Sequence, residues 1–489
     1  MKRDSSTMLG IHDWRMELYW RLPVRFQEAA LSAYARYLER RYYGVGYEYW
    51  LKEFRNRQTW SLIEGERWQV KRLRQVLEVA ARSVSYYRQS LKHVDVDAIR
   101  CTADLARLPL VEKQSIRQNE AQFLAEGLKK ESLWLQKTSG TTGTALAIFW
   151  PLAMLPQFWA MMEVMVRNVA RVGQGIPRAM MGGRPVVRGR TTLPPYWRFN
   201  RRWRQLYLSS YHVSARTAPL YVSAIRRYES EWMTGYGSAI AALAESALEA
   251  GLEPVPLRAV ITSGDTLLPS MRQSIEAFFK CKCFDHYGQS EGVAMAMECP
   301  YGRMHVIPSL GIVEILRRDN TPCAPGEVGE IVATGLMNDA MPLIRYRLGD
   351  CASWAPEESC PCGNQQRVLT SLEGRVDDYL VTADGRKIGR LSTALKRSPS
   401  VHSAQIVQER PGRAWLLIRP SNGYRRADAL AIRDDIIEKV GDLEIEILEV
   451  AEIPKTPQGK NSLVVRLDER PVMLATYERL LHGSGDHVP

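Results

Sequence analysis

Leu133-Trp-Leu-Gln-Lys-Thr-Ser-Gly-Thr-Thr-Gly-Thr-Ala-Leu-Ala-Ile-Phe-Trp150 sets a Gly/Ser/Thr turn between two apolar runs typical of β-strands. The turn, Thr138–Gly143, lacks the Lys-Ser/Thr ending of a Walker loop, and a strand rather than a helix follows it. Its glycines let the backbone approach a triphosphate, and its hydroxyl and amide groups can donate to phosphate oxygens. The stretch therefore predicts a strand–loop–strand phosphate loop, although alone it would suit an ordinary hairpin better. The candidate phosphate-binding residues are Ser139, Gly140, Thr141, Thr142 and Gly143.

Four more phrases follow in order. They are Tyr287-Gly-Gln-Ser-Glu291, Tyr346-Arg-Leu-Gly-Asp350, Gly374-Arg-Val-Asp-Asp378 and Pro454-Lys-Thr-Pro-Gln-Gly-Lys460. Each is weak alone because short patterns recur by chance, but all five in this order indicate one reaction. Over roughly residues 70–470, the chain resembles the adenylate-forming superfamily of acyl-CoA synthetases and related ligases. Within it, the resemblance is to phenylacetate-CoA ligases and the capsular-polysaccharide-associated CapK family.

The resemblance implies an α/β fold with a large adenylate-forming domain, a helical N-terminal region and a small mobile α+β C-terminal domain. Apolar spacing indeed predicts mostly helix before residue 100, and strand-like runs alternate with helices between about 100 and 375. After Asp378 short strands bracket a helix over Arg426–Val440. We expect a helical region at 1–100 packed on the large domain, an AMP-binding domain at 101–376 and a C-terminal lid at 377–489.

Several site residues are assigned from the resemblance. Glu291 would hold Mg²⁺, which prefers hard oxygen ligands, and Asp350 would accept hydrogen bonds from the ribose hydroxyls. Tyr287 would pack on adenine, which the segment Ser263-Gly264-Asp265 would border. Gly288 and Ser290 complete the nucleotide phrase, with Ser290 standing where the superfamily has threonine. Taken alone, Glu291 suits a helix start and Asp350 a turn.

Lys460 is the leading catalytic candidate. Negative charge grows on oxygens at the α-phosphorus when a carboxylate displaces pyrophosphate, and a lysine delivered there stabilises that charge. In isolation, Lys460 would be interpreted as a solvated loop lysine. By resemblance, Arg375 would contact the nucleotide and Asp377 would be the hinge about which the C-terminal domain rotates between half-reactions.

The substrate-binding candidates are Tyr236, which lies between two glycines, and His286. A structural role for His286 is at least as well supported by the sequence. The stretch Ala179-Met-Met-Gly-Gly183 departs from the aromatic-rich phrase of phenylacetate-activating relatives. Leu206-Tyr-Leu-Ser-Ser-Tyr211 is instead similar to the CapK branch.

Cys299, His305, Cys360 and Cys362 form a set of three thiolates and one imidazole that suits a closed, structural Zn²⁺ site. A comparable arrangement occurs in phenylacetate-ligase-like proteins. Reduced buried thiols are the alternative, and Cys281 with Cys283 is a rival pair more typical of alternating strand residues.

The net charge of +12 concentrates between Glu163 and Glu229, where arginines occur without any acidic residue. The segment either faces an anion such as ATP, coenzyme A, a carrier-protein phosphopantetheine or an acidic glycan, or it is a solvated surface, and both interpretations stay open. No nucleic-acid-binding motif accompanies it. Five tryptophans before residue 70 suit a docking surface or, preferably, a core. Without a signal-like or membrane-spanning run, we expect a cytoplasmic protein without a transmembrane segment.

The resemblance thus implies an ATP- and Mg²⁺-dependent ligase. It would form an acyl- or aryl-adenylate from a small carboxylic acid and pass the acyl group to coenzyme A, an amine or a carrier protein. The alternative is a non-catalytic scaffold of capsular polysaccharide or natural-product assembly that keeps the fold. Loss of Lys460, Glu291 or Asp350 would mark such a scaffold, and all three are present.

Overall fold

The structure is a computed structural model that describes part of each region of the chain. It leaves out residues 1–13, 138–145, 184, 189–190, 265–266, 268, 357–358, 374–379, 389–390, 392–400, 421–423, 451–452, 455–463, 468–476, 478–479 and 482–489. The phrases Tyr287–Glu291 and Tyr346–Asp350 are described in full.

Helices form the N-terminal region, as predicted. They are α1 Trp14–Arg21, α2 Val24–Tyr42, α3 Tyr47–Arg57, α4 Leu62–Ser83, α5 Ser85–Ser90, α6 Lys113–Gln118 and α7 Glu120–Phe123. A capping box starts α4, because Ser61 Oγ accepts from the Glu64 amide while the Glu64 carboxylate accepts from the Ser61 amide. The apolar stripe of α4 and the partly buried Trp50 and Trp68 pack into the main core. These tryptophans are therefore core residues, the preferred interpretation.

A twelve-stranded sheet organises the middle of the chain. Its strands are β3 Arg178–Gly182, β4 Trp197–Asn200, β5 Gln205–Ser209, β6 Trp232–Gly235, β7 Ala259–Ser263, β8 Cys283–Gly288, β9 Met295–Glu298, β10 Met304–Val306, β11 Gly311–Leu316, β12 Gly329–Gly335, β13 Tyr346–Trp354 and β14 Val368–Glu373. Their order is β11-β12-β13-β14-β10-β9-β8-β7-β6-β3-β5-β4. The run from β8 to β5 is parallel, and the strands on both sides of it pair antiparallel.

Helices cover the parallel strands on both faces. One face packs against α9 Ala218–Arg227, α10 Gly237–Glu249 and α11 Pro269–Phe279. The other shares a core with the N-terminal helices, with α8 Met154–Met161 and with the π-helix Met162–Arg167 that continues α8. This layering confirms the predicted α/β class, because parallel strands require helices on both faces.

Two strands flank the Gly/Ser/Thr loop as predicted. β1 Leu133–Lys137 and β2 Ala147–Pro151 pair antiparallel, with Lys137 opposite Ala147. The loop itself, 138–145, lies outside the described residues.

The C-terminal part has the predicted α+β character. A four-stranded sheet has the order β19-β18-β17-β20 and packs against α12, Arg426–Val440. The strands here are β15 Leu380–Val381, β16 Lys387–Ile388, β17 Val401–Arg410, β18 Arg413–Pro420, β19 Glu444–Glu449 and β20 Val464–Arg466. The boundary near residue 377 stays a prediction, since 374–379 lie outside the described residues.

Many arginines of the basic segment meet the N-terminal helices. Arg202 forms an ion pair with Glu39 at 2.7 Å, Arg188 pairs with Glu17, and Arg198 Nε donates to Gln27 Oε1 at 2.6 Å. Part of the positive charge is thus neutralised within the chain. Of the helices that the structure describes, none is both long enough and apolar enough to cross a bilayer.

Candidate active site and metal centre

Several of the predicted site residues that the structure describes lie at the carboxyl ends of the parallel strands. β3 ends at Gly182, β6 at Gly235 and β7 at Ser263, and the Tyr287–Glu291 phrase spans the end of β8. Ligands of open parallel sheets bind at this edge because the loops leaving successive strands converge there.

Tyr287 and Asp350 contact each other across the sheet. The Tyr287 hydroxyl donates to Asp350 Oδ2 at 2.9 Å, which links β8 to β13. Two residues separated by 63 positions are therefore brought to one place, as their predicted adenine and ribose roles require. The contact also fixes the orientation of the Tyr287 ring.

Glu291 is a buried carboxylate held from two directions. It is 5 % exposed, Tyr346 donates its hydroxyl to Glu291 Oε1 at 3.0 Å, and Lys113 Nζ lies 3.3 Å from the same oxygen. A buried carboxylate needs such partners to remain charged. The site therefore offers a fixed, hard anionic ligand.

Gly292 brings the Glu291 turn against the β1–β2 hairpin. Its φ of +67° lies in the left-handed region, and a Cβ there would come within 2.5 Å of the Trp150 ring at the end of β2. Glu291 thus lies beside a strand that leads out of the loop.

His286 is half-buried, with its ring atom Nε2 buried. Burial lowers its pKa from 6.5 to about 4, and Nε2 finds no hydrogen-bond partner among the described residues. The ring packs beside Gly288, whose Cβ position lies 3.4 Å from His286 Cε1. Tyr236 lies at the same edge of the sheet, where its amide donates to Met181 O at 2.9 Å, and its ring packs against the core on the α10 side.

The remaining nucleotide candidates fall into two groups. Ser263 is half-buried and pairs in register with His286, whereas Gly264, with φ of +87°, and Ser290 are exposed. Nine predicted residues lie outside the described part of the chain: Ser139, Gly140, Thr141, Thr142, Gly143, Asp265, Arg375, Asp377 and Lys460. Their roles stay predictions.

The four predicted zinc ligands form one cluster. The ligand atoms of Cys299, His305, Cys360 and Cys362 all lie within 4.8 Å of one another. Cys299 Sγ is 3.7 Å from Cys360 Sγ, and Cys362 Sγ is 3.4 Å from His305 Nε2. The rival pair stays apart from the cluster: Cys281 is half-buried and Cys283 is buried in β8, and burial raises the pKa of each thiol to about 12.

Hydrogen bonds around the cluster orient its ligand atoms towards one another. His305 Nδ1 lies 2.9 Å from Gln366 O, which leaves Nε2 directed at the thiols. The amides of Tyr301 and Asn364 each donate to a cysteine sulfur two residues earlier, both at 3.4 Å. Three thiols and one imidazole suit tetrahedral Zn²⁺ with no open position.

Two residues at the site were not predicted. Lys113 lies in no recognisable motif and is 178 positions from Glu291. Tyr346 begins a quoted phrase, yet only Asp350 of that phrase was assigned a role. The only sequence signal that Lys113 and Tyr346 belong to the site is that each is a polar side chain next to buried or apolar neighbours.

Comparison with known proteins agrees with this geometry. Residues 380–467 match the CapK C-terminal domain family. The protein CapK of Staphylococcus aureus is 23% identical over 458 residues, covering 92% of this chain and 98% of that protein. A phenylacetate-coenzyme A ligase of Thermus thermophilus is 26% identical over 336 residues, covering 64% of this chain and 71% of the relative.

A solved structure shares the fold. The crystal structure of 2-hydroxyisobutyryl-CoA ligase with 2-HIB-AMP and CoA superposes with a TM-score of 0.56 at 20% identity, covering 87% of this chain and 94% of that one. The C-terminal family match, the full-length likeness to CapK and the likeness to phenylacetate-CoA ligases make this chain similar to the CapK and phenylacetate-CoA ligase-like branch of the adenylate-forming superfamily.

Proposed function

We propose that the chain is an ATP-dependent ligase that activates a carboxylic acid as an acyl- or aryl-adenylate. The observation that carries the proposal is the convergence of Glu291 and the Tyr287–Asp350 pair at the carboxyl edge of the sheet, beside the β1–β2 hairpin. The relatives named as phenylacetate-coenzyme A ligases support the same reaction class.

In this reaction the substrate carboxylate attacks the α-phosphorus of ATP. A carboxyl oxygen–phosphorus bond forms, and the bond to the β-phosphate oxygen breaks as pyrophosphate leaves. Lys460 and the phosphate loop would stabilise the negative charge on the phosphate oxygens, while Tyr287 and Asp350 would hold the adenosine. Arg375 would contact the nucleotide.

Glu291 is the ligand that would hold Mg²⁺. Its buried carboxylate fits the preference of this ion for hard oxygens, and the Lys113 and Tyr346 contacts fix its position. When bound, the ion neutralises phosphate charge. The contribution of the chain is to hold the carboxylate in a fixed orientation.

For the second half-reaction, we propose coenzyme A, an amine or a carrier protein as the acyl acceptor. Rotation about Asp377 would withdraw Lys460 and admit the acceptor. The relatives named as coenzyme A ligases favour the thioester product.

The test is pyrophosphate release from Mg-ATP across aryl, fatty, hydroxy and amino acids. Each acid is assayed with hydroxylamine, with coenzyme A and with amines. We expect acid-dependent release, trapping of the adenylate as a hydroxamate, and a faster rate with the natural acceptor. Binding of Mg-ATP without release with any acid would favour the scaffold alternative.

We also propose that Cys299, His305, Cys360 and Cys362 hold a structural Zn²⁺. The ion would join the loop after β9 to the loop before β14, and all four coordination positions would be filled by the chain. The protein as purified should contain about one zinc per chain. Zinc should be lost in C360S and retained in C281S and C101S, which alter cysteines outside the cluster. Zinc retained in C360S would overturn the assignment.

A further inference from the structure

Arg178, at the start of β3, is a buried cation that pairs with no carboxylate in the described part of the chain. It is 6 % exposed, its Nη2 donates to Gln205 Oε1 at 2.7 Å, and its Nη1 has no acceptor among the described residues. The guanidinium also lies over the Trp232 ring, 5.6 Å from its centroid. Buried arginines are normally paired with an anion, so this environment is unusual.

The neighbourhood of Arg178 carries a net positive charge. A second buried arginine, Arg167, ends the π-helix and pairs with Glu163 at 2.7 Å. Glu163 also accepts from the Gln174 amide at 3.0 Å, so this carboxylate is already engaged. Burial, followed by the Arg167 charge, lowers the pKa of Arg178 to about 10. The site therefore has a positive electrostatic potential in a low-dielectric environment.

A partly open sheet face leads from Arg178 to the candidate active site. Side-chain alternation along strands sets Arg178, Met180 and Gly182 on the face covered by α8 and the π-helix. On the same face, Met180, its register partner Tyr207 and Thr234 are only half-buried, although they lie on interior strands. Part of this sheet face is therefore less tightly covered than the rest of the sheet interior.

The same sheet face continues to the substrate edge of the sheet. Ser263 and His286 pair in register at the ends of β7 and β8, and both are half-buried. From Gly182 at this edge to Arg178 is four residues along β3, or about 13 Å. The unpartnered His286 Nε2 marks one end of this path and the unpartnered Arg178 Nη1 marks the other.

We propose that the acyl site extends along this face to Arg178, and that the acid activated by the chain is extended and carries a second anionic group at its far end. One oxygen of that group would accept from Arg178 Nη1, next to the Gln205 amide. The acyl chain would lie over Met180 and Thr234. This inference rests on the proposed function for the identity of the site, but its binding test does not require turnover.

The experiment measures binding of straight-chain dicarboxylic acids and of their monomethyl esters, which have equal length but one charge fewer. Calorimetry is done on the whole protein, wild type and R178M. For acids long enough to span about 13 Å, we expect the wild type to bind the diacid at least tenfold more tightly than the ester. In R178M the ratio of the diacid affinity to the ester affinity should fall to near one, and R178K should restore part of this ratio. Diacids too short to reach Arg178 should show no advantage at all.

Arg198 supplies the matched control. It is also a buried arginine, but its guanidinium donates to Gln27 Oε1, Pro195 O and Trp197 O. R198M should lower the thermal midpoint and leave the diacid-to-ester ratio unchanged, which separates a structural loss from a lost ligand contact.

Pyrophosphate release with the same acid pairs then separates the two proposals. The diacid should have a lower KM than its monomethyl ester. The kcat should be similar for the diacid and the ester, and for the wild type and R178M. An equal ratio in wild type and R178M, or a preference for the ester at every length, would overturn the inference while leaving adenylation intact. Selective diacid binding with no pyrophosphate release would instead support binding at Arg178 and count against the proposed function.

Discussion

At the residue scale, the environment of Glu291 depends on side chains from distant parts of the chain. Lys113 comes from α6 and Tyr346 from β13, and both contact the same carboxylate oxygen. Loss of one partner of a buried ion pair costs more than the pair itself contributes, because a buried charge is left uncompensated. This asymmetry can be measured.

We predict a large coupling between Lys113 and Glu291 in a double-mutant cycle. K113M should lower the free energy of unfolding by about 3 kcal/mol, and its cost should fall to about 1 kcal/mol or less when E291Q is also present. Urea denaturation of the four proteins gives the coupling. The exposed Arg88–Glu126 pair is the control, and R88M should have little measurable effect. Additive effects of K113M and E291Q would contradict the ion pair.

The imidazole of His286 predicts a pH dependence. Its pKa is about 4 in the folded chain and near 6.5 in the unfolded one, so the unfolded chain takes up the proton first. Stability therefore falls as the pH falls from 6.5 towards 4, by up to about 3 kcal/mol. H286Q should lack this part of the acid destabilisation. Urea denaturation at pH 7.5 and 4.5 tests this prediction. If the free energy of unfolding falls by the same amount between the two pH values in H286Q and in the wild type, the assignment is contradicted.

At the scale of elements, the cysteine cluster is coupled to the start of α4. The carbonyl of Gln366 faces His305, while its side-chain amide donates to Trp60 O at 2.9 Å and to Ser61 O at 3.3 Å. Gly65 leaves room for this contact, since a Cβ there would lie 2.9 Å from Gln366 Oε1. The metal loops thus support the first turn of α4.

Loss of the metal should therefore loosen α4. We predict that C362S lowers hydrogen-exchange protection in residues 61–69 while leaving α10 unchanged, because α10 has no contact with the cluster among the described residues. C101S, which alters an exposed cysteine, should leave both helices unchanged. Equal protection of α4 in wild type and C362S would contradict the coupling.

Local sequence patterns were sufficient to predict individual helices and strands, but not which elements pack against each other. The helix Arg426–Val440 has the bounds expected from the sequence, because apolar spacing and end residues are local properties. The π-helix was not predicted, since its altered hydrogen-bond register leaves little trace in residue type. Arg178 belonged to a segment expected to be solvated or to face an anion, and only the sheet topology shows that it is buried.

Local sequence patterns also do not predict which distant residues meet at the candidate site. Glu291, Asp350 and the four clustered cysteine and histidine residues could be singled out because each lies in a short phrase with its own chemistry, and their roles stay predictions. Lys113 could not, since a lysine on a helix is usually solvated and its carboxylate partner lies far away in sequence. The Gly/Ser/Thr loop and Lys460 stay predictions.

At the scale of the whole molecule, Tyr211 joins the large sheet to the C-terminal part. Its hydroxyl donates to Gly183 O at 2.8 Å, its ring is 2 % exposed within the C-terminal core, and Arg386 Nη1 donates to its carbonyl at 3.2 Å. The residue thus connects the loop after β3 with the region around β15 and β16.

The two contributions of Tyr211 can be separated. Y211F keeps the ring and loses one hydrogen bond, so it should cost about 1 kcal/mol, whereas Y211A removes a buried ring and should cost about 3–5 kcal/mol. Thermal unfolding followed by calorimetry tests this order. Equal effects of the two substitutions would show that the ring does not support the C-terminal core.

The measurement closest to the central claim is acid-dependent exchange of labelled pyrophosphate into ATP, in the wild type and in K460A. Exchange requires reversible formation of the adenylate and no acceptor, so it isolates the first half-reaction. The account predicts exchange by the wild type with its preferred acid, and a loss of about 10²-fold or more in K460A with Mg-ATP binding retained. Undiminished exchange in K460A, or no exchange with any acid by a protein that binds Mg-ATP, would contradict it.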